Sequence, residues 1–263
     1  MLAIHVIGSG SKGNAAIVEN VSDGRGVLVD CGICKRDVFA HAASAGFDMG
    51  NLEAILVTHD HSDHVSKTGV IVRGLGREGI PMYALPEVSS VTAQLHEVAH
   101  LVDVGPMASG VPFEAAGMRI RPIRTSHDAA ASCGFRFETG DGDALGYATD
   151  TGFATGDMMR YLRDVRILAI ESNHDVRMLR EGPYPRYLQD RILSDSGHLS
   201  NDQAADVVSQ VAGARLEKVI AMHLSEHNNL PSLARESLEA ALADAGVVAD
   251  VLVASQRMLV SVR

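Results

Sequence analysis

Two β-sheets packed face to face with helices on their outer surfaces is the α+β architecture that this sequence predicts. Three observations carry the prediction. Short apolar runs of strand length fall into two blocks, and stretches with helical apolar spacing bracket them. Apolar residues make up 46% of the 263, with 4% aromatics and no Trp, so the core is large and aliphatic. No long linker, low-complexity tract or short-period repeat divides the chain, so residues 1–263 are expected to form one domain.

Residues 2–7 form an apolar strand that ends in a glycine-rich loop over residues 8–14. Residues 15–19 and 26–30 are strands joined through Ser22-Asp23-Gly24-Arg25, a hairpin signal. A buried strand over 54–58 runs into the histidine-rich segment described below. Helical spacing follows at about 66–79 and 86–99, with a strand at 82–85 between them. The middle is strand-rich, at 101–104, 111–116, 117–125, 133–139 and 144–149, broken by Gly, Asp and Pro. Residues 167–170 are a buried strand. A helix over 201–211 starts at the N-cap Ser200. A strand at 219–224, a helix at 232–245 and strands at 249–254 and 257–262 complete the chain.

The formal charge of −10 gives the surface no general attraction for nucleic acid or anionic membrane, so a polyanionic substrate must be captured locally. The N-terminus has no basic region or small-residue cleavage site, and no apolar run approaches the roughly 20 residues of a membrane span. The expectation is a soluble, cytoplasmic protein with no membrane partner. Three cysteines are too few for a disulfide scaffold. Cys31 and Cys34 have C-x-x-C spacing, but with no second such pair they are read as reduced thiols near a strand end rather than as a redox or zinc pair.

Thr58-His59-Asp60-His61-Ser62-Asp63-His64 places three imidazoles and two carboxylates in six consecutive residues directly after a strand. On a loop, His59 and His61 can aim at one metal while Asp63 and His64 aim at a second. Nitrogen and oxygen donors without thiolate suit Zn(II), Mn(II) or Fe(II). Further donors stand at other strand ends: His127 after 117–125, Asp150 after 144–149 and His223 at the end of the strand at 219–224. Gly8-x-Gly10-x-x-Gly13 matches a dinucleotide fingerprint, with Asp30 17 residues beyond Gly13. The fingerprint must open a helix, however, and residues 14–20 leave room only for a strand.

The H-x-H-x-D-H string after a Val-Thr strand, followed by a later His, Asp and His, resembles the metallo-β-lactamase superfamily over nearly the whole chain. Five further strings resemble the YycJ/WalJ (VicX) group of bacterial proteins, regarded as 5′-to-3′ exonucleases acting on DNA. They are Gly8-Ser9-Gly10-Ser11-Lys12-Gly13-Asn14, Leu28-Val29-Asp30-Cys31-Gly32, Thr149-Asp150-Thr151-Gly152, Glu171-Ser172-Asn173-His174-Asp175 and Gly197-His198-Leu199-Ser200-Asn201. The resemblance implies a four-layer αββα sandwich with two divalent ions at one edge. It implies that His59, His61 and His127 hold the first ion and Asp63, His64 and His223 the second, with Asp150 bridging. Asp30 resembles the carboxylate that orients the metal-binding loop.

Two divalent ions can clamp an in-line displacement at phosphorus and lower the pKa of bound water towards about 7. The leaving alkoxide still needs a proton. Gly197-His198-Leu199-Ser200 resembles the H-S-T string of tRNA 3′-processing relatives, which implies that His198 is the general acid and Glu171 its carboxylate partner. Asp63 counts among the catalytic residues as well as the ligands. Lys12, Asn14, His174, His227 and Asn228 are candidate contacts to substrate, as are Tyr184 and Arg186. His5, His41, His96 and His100 read as structural.

The substrate expected is a nucleic-acid end, DNA before RNA, with a cyclic or other small phosphodiester, or RNA processing, as the alternative. A diiron oxidoreductase or dioxygenase on the same fold is the reading outside that class, and it leaves the Gly197–Asn201 string without a use. A glyoxalase-type thioesterase would carry Gly-Gly after the motif, where Val65-Ser66-Lys67 stand here. There is no basic, Gly-rich insertion to grip tRNA, and little room between Asp150 and His223 for a large inserted nuclease domain.

Overall fold

The computed structural model describes residues 1–263, the side chain of Pro106 excepted. The first block of strands is β1 (Leu2–Gly8), β2 (Ala15–Asn20), β3 (Arg25–Val29), β4 (Leu52–Leu56), β5 (Ile80–Ala84) and β6 (Val102–Pro106). The second is β7 (Phe113–Ala115), β8 (Met118–Arg124), β9 (Cys133–Glu138), β10 (Ala144–Ala148), β11 (Ile167–Glu171), β12 (Lys218–Met222) and β13 (Asp250–Val253). The last strand, β14 (Val260–Val262), crosses back to the first block and pairs antiparallel with β1. Two seven-stranded sheets result, in the orders β14-β1-β2-β3-β4-β5-β6 and β13-β12-β11-β10-β9-β8-β7.

Each sheet is antiparallel on one side and parallel on the other. Pairing from β3 through β6 is parallel, as is pairing from β10 through β13. Parallel strands deliver their C-terminal ends to one edge, and that edge is where polar residues collect. These strands read as continuous apolar runs because both faces are covered. One apolar core takes in both faces of the first sheet and a face of the second, and it includes Ile4, Ile17, Leu28, Ile55, Phe135, Tyr147 and Ile220.

The outer face of the first sheet is covered by α1 (Lys35–Ala45), α2 (Ser62–Val65), α3 (Thr68–Gly74), α4 (Pro86–Val91) and α5 (Ala93–Val98). The second carries α6 (Gly156–Tyr161), α7 (Val176–Glu181), α8 (Arg186–Ile192), α9 (Asn201–Val211) and α10 (Pro231–Asp244). A second apolar cluster beneath α6, α9 and α10 includes Met158, Leu162, Val208 and Leu238. The layers are therefore helix, sheet, sheet, helix, as the sequence predicts.

The hairpin expected at Ser22–Arg25 is present, with Asn20 opposite Arg25. The glycine-rich loop connects antiparallel β1 and β2 and opens no helix. Three expectations need correction. The stretch at 66–79 is helical only over α3, after a break from the short α2 that precedes it, and the stretch at 86–99 is split into α4 and α5. The second break falls at Thr92, which adopts extended φ −83°, ψ 103° while its hydroxyl donates back to the Val88 carbonyl. α1, α6, α7 and α8 have no counterpart in the sequence reading. α9 starts as expected, in a full capping box: Ser200 Oγ accepts from Gln203 N at 3.2 Å and Gln203 Oε1 accepts from Ser200 N at 2.9 Å. Such a cap is worth about 0.5–2 kcal/mol, and here it fixes the backbone two residues beyond His198. No helix among the described residues is long and apolar enough to cross a membrane.

Candidate metal centre

Six strand ends build the site. Asp30 follows β3, the His59–His64 loop follows β4, His127 follows β8, Asp150 follows β10, Glu171 ends β11 and His223 follows β12. Three of these residues sit in left-handed backbone conformations: Asp30 (φ 62°), Asp150 (φ 59°) and His223 (φ 56°). Left-handed geometry is costly for non-glycine residues and gathers where function holds it in place. Each brings its side chain from the end of its strand onto the site, Asp30 and Asp150 against His64 and His223 against Asp150.

The His59–His64 loop is braced from behind. Asn14 N donates to the Asp63 carbonyl at 2.8 Å, and Gly32 N donates to the Asn14 carbonyl at 2.9 Å. A Cβ on Gly32 would fall 1.6 Å from the Asp63 carbonyl oxygen, so only glycine permits this approach. The glycine loop is thus packing for the metal loop rather than a nucleotide cradle. Buried Asp30 accepts three hydrogen bonds: from Thr58 N at 2.9 Å, from Thr58 Oγ1 at 2.8 Å and from His64 Nδ1 at 2.7 Å. With Nδ1 bonded there, His64 turns Nε2 towards Asp63 Oδ2 and Asp150 Oδ2, each 3.4 Å away.

His127 is oriented in the same way, its Nδ1 donating to the Gly197 carbonyl at 2.9 Å and its Nε2 lying 3.2 Å from His61 Nδ1. Two nitrogens that close share a cation more readily than a proton. His59, His61 and His127 converge on one point, and Asp63, His64 and His223 on a second; within each set the donor atoms lie within 4.8 Å of one another. His59, His64 and Asp150 form an overlapping set, so Asp150 lies between the two. His59 Nε2, Asp150 Oδ2 and His223 Nε2 are buried and have no hydrogen-bond partner among the described residues. Orphaned donor atoms of these types, aimed inward, fit divalent cations.

The electrostatics agree. Burial pushes the His59 pKa well below the usual imidazole range, aided by the charge of His64, which leaves a neutral lone pair. Burial alone would also lower His64 and His223. The Asp150 carboxylate overcomes it in both, with Asp30 adding at His64 and Asp63 at His223, and holds His64 well above its ordinary value and His223 at about 10. The buried carboxylates therefore favour positive charge at this centre, whether protons on His64 and His223 carry it or cations that displace those protons.

Glu171 is fully buried and serves two imidazoles. Its Oε1 lies 2.7 Å from His198 Nδ1 and 3.2 Å from His223 Nδ1, and its Oε2 accepts from Thr151 N at 2.9 Å. Burial would raise its pKa, but the His198 charge and the hydrogen bonds from both histidines bring it down to about 2. His198 Nδ1 is thus occupied, and Nε2 is the free ring nitrogen. His61, Asp63, His127, Asp150, His198 and His223 line a cavity of about 250 Å³. Its opposite wall is Tyr184, Leu188, Arg191 and Ile192, from the α7–α8 segment.

The family model described as Beta-lactamase superfamily domain matches residues 25–224. The chain is 33% identical over 260 residues to Exodeoxyribonuclease WalJ of Streptococcus pneumoniae, covering 93% of this chain and 90% of that protein. It is 32% identical over 251 residues to Exodeoxyribonuclease YycJ of Bacillus anthracis, with the same coverage. The chain belongs to the metallo-β-lactamase superfamily and, within it, to the YycJ/WalJ-like group. The fold of this family is seen also in the crystal structure of YhfI from Bacillus subtilis, at TM-score 0.74 and 15% identity over 99% of both chains.

Against this family background, all seven expected ligands and the His198–Glu171 pair meet at one edge. The expected substrate contacts divide. Lys12 is exposed and ion-paired to Glu226, and His227 is exposed and meets the Tyr184 ring edge-on at 5.8 Å. Asn14 is buried, its amide spent on Gly10, Asp63 and His64, so it positions the metal loop and does not face substrate. His174 and Asn228 are also corrected: both are fully buried and outside the cavity lining. Burial lowers the His174 pKa to about 4, against the raising pull of Glu171. Sequence reasoning missed Arg191, Leu188, Ile192 and Asp128 on the cavity wall, because no motif marks them. Cys31 and Cys133 are buried thiols whose pKa burial pushes up, which leaves no redox pair with the part-exposed Cys34.

Proposed function

We propose that this chain is a dinuclear metal-dependent phosphodiester hydrolase, a cytoplasmic 5′-to-3′ exonuclease acting on DNA ends. The observation that carries the reading is the meeting of three unpartnered, buried donor atoms, on His59, Asp150 and His223, with the carboxylate-held His198 at one edge of the sheets, where Asp150, His198 and His223 line the cavity. The relatives named exodeoxyribonuclease support DNA as the substrate. His59, His61 and His127 would hold one divalent ion and Asp63, His64 and His223 the other, with Asp150 shared; Zn(II) or Mn(II) suits these donors, then Fe(II). When bound, the ions supply Lewis-acid charge at phosphorus and a water-derived nucleophile at neutral pH.

The chain's own groups do the rest. Asp30 and the Gly197 carbonyl fix His64 and His127 so that each presents Nε2 to the cavity. Glu171 fixes the His198 tautomer with the proton-bearing Nδ1 towards itself. A second proton on His198 Nε2 then faces the cavity, where the leaving alkoxide takes it. The same carboxylate orients His223, so the acid and one ligand share a support.

Metal analysis of the purified protein, paired with a panel of DNA, RNA and cyclic phosphodiesters, tests the reading. Metal-dependent nucleotide release from DNA ends is expected, abolished by His59→Ala or Asp63→Ala. Undiminished turnover in Asp63→Ala, or none on any phosphodiester, sinks it. His198→Ala should keep the metals and lose turnover. The acidic surface and small cavity favour one alternative, a small or cyclic phosphodiester substrate, and the panel separates the two.

A further inference from the structure

Apart from its histidines, the cavity at the metal centre is lined by acid. Asp63, Asp128 and Asp150 face it, and Arg191 is the single lysine or arginine in its lining among the described residues. With a formal charge of −10, the wider surface offers a polyanion no general attraction. A fixed cation inside the cavity therefore matters more than one outside it.

Arg191 is tied down in a way that leaves most of its donors free. Its Nε donates to Asp128 Oδ2, and neither Nη has a hydrogen-bond partner among the described residues. A guanidinium carries five N–H groups in one plane, so four remain for a ligand while Asp128 holds the plane. Asp128 is in turn fixed against the first donor set. Its backbone N donates to the Ser196 carbonyl at 3.0 Å, its carbonyl accepts from His61 Nε2 at 3.2 Å, and its Oδ1 lies 3.5 Å from His127 Nε2.

The main chain beside Arg191 is held as firmly. A Cβ on Gly197 would fall 2.1 Å from the Ile192 carbonyl oxygen, and His198 N donates to that oxygen at 3.0 Å. The end of α8 and the backbone of the proposed acid thus form one rigid piece. Stability is a weak reason for the ion pair itself. The Arg191 side chain is 56% exposed, and a pair so open to water contributes at most about 1 kcal/mol.

We propose that Arg191 binds the substrate phosphate next to the one that is cleaved, and that Asp128 is the positioning residue that aims it. The proposal rests on the phosphodiesterase reading. The metal centre serves the scissile group, whereas its neighbour along the strand meets a wall that is otherwise carboxylate, imidazole and neutral side chains. The free Nη groups match two phosphate oxygens in a paired contact that a lysine ammonium cannot make. Such a contact reads phosphate alone, whatever the base and whether or not the strand is paired. The phosphate has two possible sources, a terminal monoester and the nearest internal diester.

The test is binding of a short DNA duplex to the zinc-loaded protein, followed by fluorescence anisotropy on ends with and without a 5′-phosphate. A phosphorothioate at the first linkage slows hydrolysis during the measurement. Arg191→Ala should weaken binding roughly ten- to a hundredfold, and Arg191→Lys should recover only part of that loss. Asp128→Ala should also weaken binding, and Asp128→Asn, whose amide oxygen still accepts from Arg191 Nε, should restore most of it. A loss confined to 5′-phosphorylated ends assigns Arg191 to the monoester, and an equal loss on both ends assigns it to the diester. Wild-type affinity of Arg191→Ala for both ends overturns the proposal. So does loss of zinc from the folded Arg191→Ala protein, read by competition with a chromophoric chelator, because the residue would then be a brace for the first donor set. Hydrolysis of bis(p-nitrophenyl) phosphate by the wild type, a substrate with no second phosphate, reports the metal centre separately. Its absence refutes the phosphodiesterase reading, whereas undiminished binding by Arg191→Ala refutes the phosphate contact alone.

Discussion

Replacing Asp30 with Asn changes almost no volume and should nevertheless cost the protein its metals. The carboxylate takes three hydrogen bonds at 2.7–2.9 Å from groups that are themselves buried. In the amide, one oxygen can still accept from Thr58 N, and the Thr58 hydroxyl can rotate to accept from the new NH2. His64 has no such freedom. Its Nδ1–H would meet an N–H donor, so the imidazole must move its proton to Nε2, the nitrogen aimed at Asp63 and Asp150. A protonated Nε2 cannot ligate. Changes of this kind, one step behind a ligand, lower metal affinity by about 10–100-fold. That corresponds to about 1.4–2.8 kcal/mol, the worth of one to two charge-assisted hydrogen bonds. The assay is competition for Zn(II) between the protein and a chromophoric chelator, with far-ultraviolet circular dichroism to show that the fold persists. A folded Asp30→Asn protein that binds Zn(II) as tightly as wild type would refute the argument that Asp30 sets the His64 tautomer.

Four further outcomes follow from the geometry. Glu171→Gln should lower kcat by about 10²–10⁴-fold, because His198 loses its orienting charge, and should also weaken the metal held by His223; steady-state kinetics and metal titration measure the two effects separately. Chelation should lower Tm by roughly 5–11 °C for each site held at a hundredfold excess of free metal over Kd, as read by calorimetry with and without chelator. Gly32→Ala should give little soluble protein, or a folded one unable to hold metal, since the new Cβ meets the Asp63 carbonyl. The fourth concerns pH. Burial lowers the His5 pKa from 6.5, only partly offset by Glu19, so the folded form is neutral, with Nε2 at 2.9 Å from Glu19 and Nδ1 at 2.7 Å from Ser261. Its contribution is whole above 6.5 and is lost as pH falls through the depressed folded value. Tm should therefore fall more steeply below pH 6.5 in wild type than in His5→Gln, and parallel curves would exclude His5 as the cause.

The metal centre was legible for a physical reason. Its donors stand at the ends of apolar strands, and strand ends are where an alternation of chemistry is most visible in a sequence. The contiguous run His59–His64 marks the edge, and parallel strands then bring His127, Asp150 and His223 to the same edge. The left-handed backbone at Asp30, Asp150 and His223 was not legible, because Asp and His, though enriched in that conformation, adopt it too seldom for the residue type to announce it. Nor were α6, α7 and α8 legible. At six or seven residues each, they are too short for a helical period to repeat. α1 is longer, but it buries only Val38 and Ala42, so its apolar stripe is faint. His174 and Asn228 looked like substrate contacts because they neighbour functional strings, and burial turned them inward. Neighbourhood in sequence places a residue near a site without saying which way it faces.

The donors are divided between the two sheets. His59, His61, Asp63 and His64 follow a strand of the first, while His127, Asp150 and His223 follow strands of the second. Neither sheet alone can complete either donor cluster. During synthesis the first four donors emerge early, and His223 arrives some 160 residues later. On the proposed ligand sets, tight metal uptake would report on assembly: it would begin when the two sheets dock in register, and a nascent or misdocked chain would hold a cation only weakly. An ion held by donors from both sheets would act as a latch between the halves of the sandwich, and stripping it would loosen the seam along which the molecule came together.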